Sequence, residues 1–165
     1  MRPIFLPALL PVLLLGTLGW SGAGVAANPV WLEGKTDTQY QITVYRSASC
    51  GCCKGWNDHL RAHNFRVEDV VVEDVEPYKN KFGVPPQGAS CHTAVVNGKV
   101  IEGHVPAQDI KALLGSASDV RMLTVPGMPS GGPGMDWDGA RQDAFKVYAV
   151  SEDDSVGVFN QYSGY

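Results

Sequence analysis

The sequence contains no run of basic residues. Its 13 lysines and arginines are outnumbered by 17 aspartates and glutamates, and the formal net charge at neutral pH is −4. A protein that binds nucleic acid needs a patch of positive charge to meet the phosphate backbone. The composition therefore argues against nucleic acid as a partner. No carboxylate pair or hydrolytic triad is evident either, which disfavours acid–base chemistry.

Long apolar runs are missing except at the start of the chain. Arg2 precedes an apolar segment from about Ile4 to Trp20, and small residues follow up to Ala27. This order is typical of a secretory signal peptide, so we predict a signal peptide over residues 1–27 that is cleaved after Ala27. No later stretch is long and apolar enough to span a membrane. We therefore expect an exported, periplasmic protein with no membrane span after cleavage.

The rest of the chain is long enough for one domain with a hydrophobic core. We predict an N-terminal linker over residues 28–40, a thioredoxin-like domain over residues 41–115 and a C-terminal extension over residues 116–165. In the extension, a loop rich in proline and glycine runs from Val125 to Asp136. After this loop, two β-rich segments around an acidic turn predict a hairpin that folds back on the main sheet.

The predicted elements of the domain follow the order β-α-β-α-β-β-α. Alternating β-branched residues indicate strands, and apolar residues at helical spacing indicate helices. Asn97-Gly98 between apolar strands favours a hairpin with a type I′ turn. A parallel βαβ unit followed by a hairpin and a helix is the thioredoxin-like arrangement, so the predicted fold class is α/β. The predicted elements are strand 41–45, helix 50–63 with N-cap candidates at residues 47–49, strand 65–72, helix 77–82, hairpin strands 93–96 and 99–101, and a helix over 106–114.

Cysteine is scarce but concentrated. The four cysteines are Cys50, Cys52, Cys53 and Cys91, and three of them fall within four residues. An even count in an exported protein first suggests structural disulfides, but this crowding is more typical of metal or redox chemistry. Cys50 and Cys53 form a C-x-x-C pair where a strand meets a helix N-terminus, which favours thiolate. Cys52 adds a third sulfur, which allows more than one metal ion to be bridged.

Further candidate ligands lie later in the chain. Cys91 and His92 precede the predicted hairpin, in the loop that faces the C-x-x-C site of a thioredoxin-like fold. His104 follows the hairpin and can approach from the same side. Met128 and Met135 lie on the Pro/Gly loop, where no periodic pattern places them in a core, so they are candidates for thioether ligation. Thiolate, thioether and imidazole together favour a soft metal such as copper.

Four segments together resemble the CopG-type copper-resistance family, long described as predicted metal-binding proteins of unknown function. They are C-G-C-C-K-G-W at 50–56, S-C-H-T-A at 90–94, E-G-H-V-P-A at 102–107 and V-P-G-M-P at 125–129. The resemblance covers roughly residues 40–137. It implies a thioredoxin-like domain whose extension contributes to a copper site in the Gram-negative periplasm, with a redox role between Cu(I) and Cu(II). The positions it implies as ligands are Cys50, Cys52, Cys53, Cys91, His92, His104, Met128 and Met135.

The leading hypothesis is therefore a periplasmic copper-binding protein that sequesters copper in a thiolate-bridged site and can change its oxidation state. The main alternative is a thiol–disulfide oxidoreductase in which Cys50 and Cys53 are the catalytic pair. A non-enzymatic chaperone that passes copper to an efflux system would need the same ligands. The sequence does not separate a copper oxidoreductase from such a chaperone. A structural zinc site is disfavoured because few Cys/His pairs have the usual spacing.

Overall fold

The computed structural model describes residues 28–165, and the predicted signal peptide lies outside the described residues. Two short 3₁₀ helices, Pro29–Leu32 and Pro86–Gly88, accompany the main elements. The strands and helices of the described residues are β1 (Tyr40–Ser47), α1 (Gly51–Ala62), β2 (Phe65–Val72), α2 (Glu76–Lys81), β3 (His92–Val96), β4 (Lys99–Glu102), α3 (Ala107–Leu114), β5 (Val120–Thr124), β6 (Phe145–Ser151) and β7 (Val156–Tyr162).

These strands form one mixed sheet in the order β2-β1-β3-β4-β5-β6-β7. β1 and β2 are parallel across α1, β4 and β5 are parallel across α3, and the other neighbours are antiparallel. The predicted α/β class is confirmed. The first seven elements follow the predicted order, while the thioredoxin-like assignment itself stays a prediction.

The β3–β4 hairpin forms as its turn residues predict. Asn97 has φ 46° and Gly98 has φ 76°, the two left-handed conformations that a type I′ turn requires. The turn puts Val95 opposite Val100 and Thr93 opposite Glu102. It thereby places the strand ends that carry His92 and Glu102 next to each other, at the end of the hairpin away from the turn.

Strand β5 was not predicted. Four of its five residues are buried, so the strand lacks the alternation that marks a half-buried strand in sequence. β5 lies between β4 and β6 and so continues the main sheet into the C-terminal hairpin. The predicted hairpin of the extension corresponds to β6 and β7.

The segment predicted as a linker, residues 28–40, contains a buried anchor. Trp31 is fully buried, and its indole N–H donates to the carbonyl oxygen of Gly131 over 2.8 Å. Its ring also contacts three aromatic rings of the C-terminal region, those of Phe145, Tyr162 and Tyr165. The segment therefore holds the middle of the Pro/Gly loop.

The main core lies between the sheet and the two longer helices. Trp56 and Leu60 of α1 and Ile110 of α3 pack with strand residues such as Ile42 and Ile101. A smaller cluster centred on Val100, Met122 and Val150 packs separately. No helix in the described part of the chain is long and apolar enough to cross a membrane.

Candidate metal centre

The first turn of α1 carries three of the four cysteines. Cys50 is the N-cap residue, without a side-chain capping bond, so the predicted serine caps at 47–49 are wrong. Cys50 and Cys53 are joined by a disulfide with a Cα–Cα distance of 5.3 Å, and Cys52 remains a free thiol. A residue at the N-cap and one at the third helical position face the same side of the turn, which brings the two sulfurs together.

Cys91, in the loop directly before β3, contacts this turn. Its sulfur lies 3.4 Å from the Cys53 sulfur, and the Cys52 sulfur lies 3.6 Å from the Cys50 sulfur. All four cysteine sulfurs lie within 4.8 Å of one another. We call Cys50, Cys52, Cys53 and Cys91 the cysteine cluster. The four residues that the sequence analysis singled out thus share one small volume.

Two buried histidines contact Cys91 as well. The Cys91 sulfur lies 3.3 Å from His92 Nδ1 and 3.2 Å from His104 Nε2. His104 Nδ1 lies 2.8 Å from the carbonyl oxygen of Pro133. Because a carbonyl oxygen can only accept, Nδ1 carries the proton and Nε2 presents its lone pair to Cys91. A second hydrogen bond of this kind is how proteins orient histidine ligands of metals.

Burial keeps these groups uncharged. It lowers the pKa of His104, and it lowers the pKa of His92 further with the help of His104 and Lys79. Burial, and to a smaller extent the nearby Cys52, raises the pKa of the Cys91 thiol to about 12. Cys91 is therefore a protonated thiol at neutral pH, and a soft metal ion that binds its sulfur must displace a proton.

The two methionines lie in different surroundings. The Met128 sulfur is 3.9 Å from the Cys52 sulfur, and the side chain is 55% exposed. Met135 is half-buried, and its backbone closes a turn with Gly131 and Gly132. Within the described residues, no sulfur contact links Met135 to the cysteine cluster. The structure thus brings Met128 to the cysteine cluster, while the role of Met135 as a ligand stays a prediction.

We expect Met128→Leu to weaken Cu(I) binding by roughly threefold to tenfold, because leucine keeps the volume but removes the soft thioether donor. Met135→Leu is the matched control and should leave the affinity unchanged. Competition titration against a chromophoric Cu(I) chelator measures both. An equal loss in the two variants would show that Met135 also binds the ion.

The Pro/Gly loop reaches the cysteines through a close contact between two glycines. A Cβ atom on Gly134, whose φ is +78°, would lie 2.8 Å from the carbonyl oxygen of Cys52. A Cβ atom on Gly55 would lie 3.1 Å from the Cα atom of Gly134. Such separations leave no room for a side chain, so glycine at both positions lets the loop lie directly on α1. With the loop in this position, the Pro133 carbonyl oxygen lies next to His104 and the Met128 sulfur lies next to Cys52.

The sequence analysis missed a buried ion pair next to Cys91. Lys79 Nζ and Glu102 Oε1 are 2.5 Å apart, and both side chains are buried. The signal in the sequence was a glutamate directly after the apolar pair Val100-Ile101. A charged residue in such a position needs a buried partner.

A further histidine, His59 on α1, makes stability depend on pH. Burial lowers its pKa to about 3, and its Nε2 accepts the Ala107 N–H. The unfolded chain takes up a proton near the usual histidine pKa of about 6.5, which the folded chain cannot do. The free energy of unfolding should therefore fall from pH 7 to pH 5, by about 2 kcal/mol from this residue alone. His63, His92 and His104 have lowered pKa values and act in the same direction.

Urea unfolding of the metal-free protein at pH 7 and pH 5 measures this loss. His59→Gln keeps an oxygen that can accept the Ala107 N–H but does not titrate. We expect its stability to change less between the two pH values than that of the parent. A pH dependence identical to that of the parent would contradict the assignment.

Two solved structures resemble this one closely. The structure described as copper resistance protein CopG, form 2, is 44% identical in sequence, and the match covers 76% of this chain and 100% of that chain with a TM-score of 0.72. Form 1 is 46% identical, with 75% and 98% coverage and a TM-score of 0.71. This chain belongs to the CopG copper resistance family. The resemblance seen in the sequence is thus confirmed.

A family model described as a protein of unknown function, DUF411, matches residues 88–135. The matched segment of this CopG-family chain contains Cys91, both buried histidines of the site and both methionines, but not the C-x-C-C motif. No match is found among curated proteins. Membership of the family therefore connects this chain with proteins named for copper resistance.

Proposed function

We propose that this protein binds copper at the cysteine cluster as part of periplasmic copper resistance, in a thiolate-bridged site that can interconvert Cu(I) and Cu(II). The observation that carries the proposal is the position of the Cys91 sulfur, which lies 3.2–3.4 Å from the Cys53 sulfur and from one nitrogen each of His92 and His104. One half-buried sulfur therefore joins a group of thiols to a pair of imidazoles.

This donor set suits both oxidation states of copper. Thiolates and the Met128 thioether are soft donors that favour Cu(I), whereas imidazole nitrogen also accommodates Cu(II). The two histidines are kept neutral by burial, so their lone pairs are available without loss of a proton. The described chain thus offers ligands of mixed softness in one place, as a redox-active copper site requires.

The state of the Cys50–Cys53 disulfide determines how many thiols can bind a metal ion. With Cys50 and Cys53 bonded to each other, only Cys52 and Cys91 can act as thiolate ligands. Two electrons and two protons convert the disulfide to two thiols, which raises the number to four. We therefore expect the reduced protein to hold more Cu(I) than the oxidised protein.

Neighbouring residues orient the two histidines and shield them from water. The Pro133 carbonyl fixes the His104 proton on Nδ1, so that Nε2 faces Cys91. The Trp56 ring packs on the His92 ring at a centroid distance of 4.3 Å and excludes water from that side. Copper, when bound, would supply the one-electron redox step, while these residues hold the ligands in place.

A periplasmic location fits the predicted signal peptide and the disulfide, since disulfides persist in oxidising compartments. The efflux system or redox partner that would exchange copper with the protein is part of the proposal. The half-exposed Met128 next to Cys52 gives such a partner access to one side of the site.

Purification of the protein from copper-exposed periplasm, with elemental analysis and absorption spectra, tests the proposal. We expect copper in the parent and a lower copper stoichiometry in Cys52→Ser, because a bridging sulfur is lost. Ser49→Ala, an exposed change three residues away, is the matched control and should bind copper like the parent. A colourless preparation that contains only zinc would overturn the proposal, and unchanged copper in Cys52→Ser would argue against a bridged cluster.

The Cys50–Cys53 disulfide favours a second candidate, a thiol–disulfide oxidoreductase. In that case Cys50 and Cys53 would exchange electrons with a protein substrate, and metal binding would be incidental. Insulin reduction by the parent, or a mixed disulfide trapped with Cys53→Ser, would support this function. The contacts of Cys91 with two histidines are not explained by it.

A further inference from the structure

The buried ion pair between Lys79 and Glu102 has no role in the ligand set described above. Glu102 at the end of β4 is fully buried, and Lys79 on α2 is 4% exposed. Their charged atoms lie 2.5 Å apart. Lys79 Nζ also donates to the Thr93 hydroxyl over 3.2 Å. The pair is therefore a satisfied polar network inside the fold.

The Glu102 carboxylate contacts the chain on both sides of Cys91. Its Oε1 accepts the backbone N–H of Ser90 over 2.6 Å, and its Oε2 accepts the Thr93 hydroxyl over 2.6 Å. Ser90 directly precedes Cys91, and Thr93 directly follows His92. One side chain thus fixes both ends of the dipeptide that contributes a sulfur and an imidazole to the site.

The backbone around Glu102 ties the same segments together. The Gly103 N–H donates to the His92 carbonyl, and the Val125 N–H donates to the Glu102 carbonyl, each over 3.0 Å. A Cβ atom on Gly103 would lie 2.6 Å from the Ser90 Cβ atom. The chain leaves the strand after Glu102 and reaches His104 two residues later. The segments that carry Cys91, His104 and Met128 therefore meet around this glutamate.

A buried ion pair is rarely better for stability than two apolar side chains of the same size. Stability alone therefore does not account for these two charges. We propose that Glu102, with Lys79 as its counter-ion, is a positioning residue of the metal centre. It holds the Ser90–Thr93 segment so that the Cys91 sulfur stays 3.2 Å from His104 Nε2. The proposal rests on the proposed copper site for its functional meaning, but the positioning of Cys91 can be measured without metal.

Two double variants separate positioning from charge. Lys79→Met with Glu102→Gln removes both charges and keeps a side-chain oxygen that can accept the Ser90 N–H. Lys79→Met with Glu102→Leu removes both charges and that acceptor. In the reduced full-length protein we expect the leucine variant to bind Cu(I) about tenfold more weakly, the usual cost of losing an outer-sphere contact. The glutamine variant should recover most of the affinity.

A second readout does not depend on copper. In a Cys52→Ser background with the Cys50–Cys53 disulfide intact, Cys91 is the one remaining free thiol of the four cysteines. Its rate of alkylation by iodoacetamide then reports how firmly the segment is held. We expect faster alkylation in the leucine variant than in the parent, and a rate close to that of the parent in the glutamine variant.

The outcomes are distinguishable. If both double variants match the parent in alkylation, or change equally, Glu102 does not position Cys91 and the inference is overturned. If the parent binds no copper but alkylation differs as expected, the positioning stands and the proposed function fails. Should the leucine variant not fold, Thr93→Val removes the contact to Oε2 together with the hydrogen bond from Lys79 and leaves the contact of Oε1 with Ser90 in place. An alkylation rate equal to that of the parent would then overturn the inference.

Discussion

Replacing Cys91 by serine is expected to lower the Cu(I) affinity of the reduced protein by about 100-fold or more, which corresponds to about 2.7 kcal/mol. Cys91 is shared by both groups of candidate ligands, the cysteine cluster and the pair of buried histidines. A hydroxyl is a poor ligand for a soft ion, so the link between the two groups is lost. Serine is similar in size to cysteine, so the fold should be kept. Competition titration measures the affinity, and thermal unfolding of the metal-free protein checks the fold.

Cys52→Ser is the comparison for this variant, because it removes a sulfur at the exposed side and leaves the contacts of Cys91 with the histidines in place. We expect it to reduce mainly the number of bound ions. A Cys91→Ser protein that binds Cu(I) within about threefold of the parent would show that Cys91 is a packed thiol and not a ligand.

Gly134→Ala is expected to destabilise the protein by about 3 kcal/mol, through a left-handed backbone and a steric clash. The added Cβ atom would lie 2.8 Å from the Cys52 carbonyl oxygen at a backbone φ of +78°. Relief of this clash requires the Pro/Gly loop to move away from α1. The loop carries Met128 and the Pro133 carbonyl, so copper affinity should fall along with stability.

Gly139→Ala isolates the backbone contribution. Gly139 has a φ of +79°, but nothing lies within 4 Å of an added Cβ atom. The substitution should lower the free energy of unfolding by about 1 kcal/mol, and copper binding should not change. The difference between the two variants in urea unfolding is the cost of the clash. Equal losses would mean that the loop is not held against α1 by this contact.

Local sequence signals predicted most of the fold. Residues 65–72 form the strand that their valine-rich pattern indicated, and Asn97-Gly98 fixed a hairpin because few residues adopt two successive left-handed conformations. Strand β5 was missed because it is buried on both faces and shows no alternation. Trp31 was not predicted within the linker over residues 28–40, since no local pattern indicates a single side chain that packs against residues a hundred or more positions away.

The site was predictable where residue chemistry is specific. Three cysteines within four residues indicate soft-metal or redox chemistry in any fold. Met128 and Met135 look alike in sequence, and only the path of the loop brings one of them to Cys52. The role of Glu102 depends on contacts with Lys79, Ser90 and Thr93, which lie between 9 and 23 positions away. Such side-chain contacts follow from tertiary packing and leave little trace in a single sequence.

The difference in depth between Met128 and Cys91 has a kinetic consequence. Met128 is more than half exposed and touches Cys52, whereas His104 behind Cys91 is fully buried. The sulfurs thus form a short path with an outer and an inner end. We expect the outer pair to govern how fast an ion enters, and the inner group to govern how long it is retained. Loading and release can then be tuned by different residues.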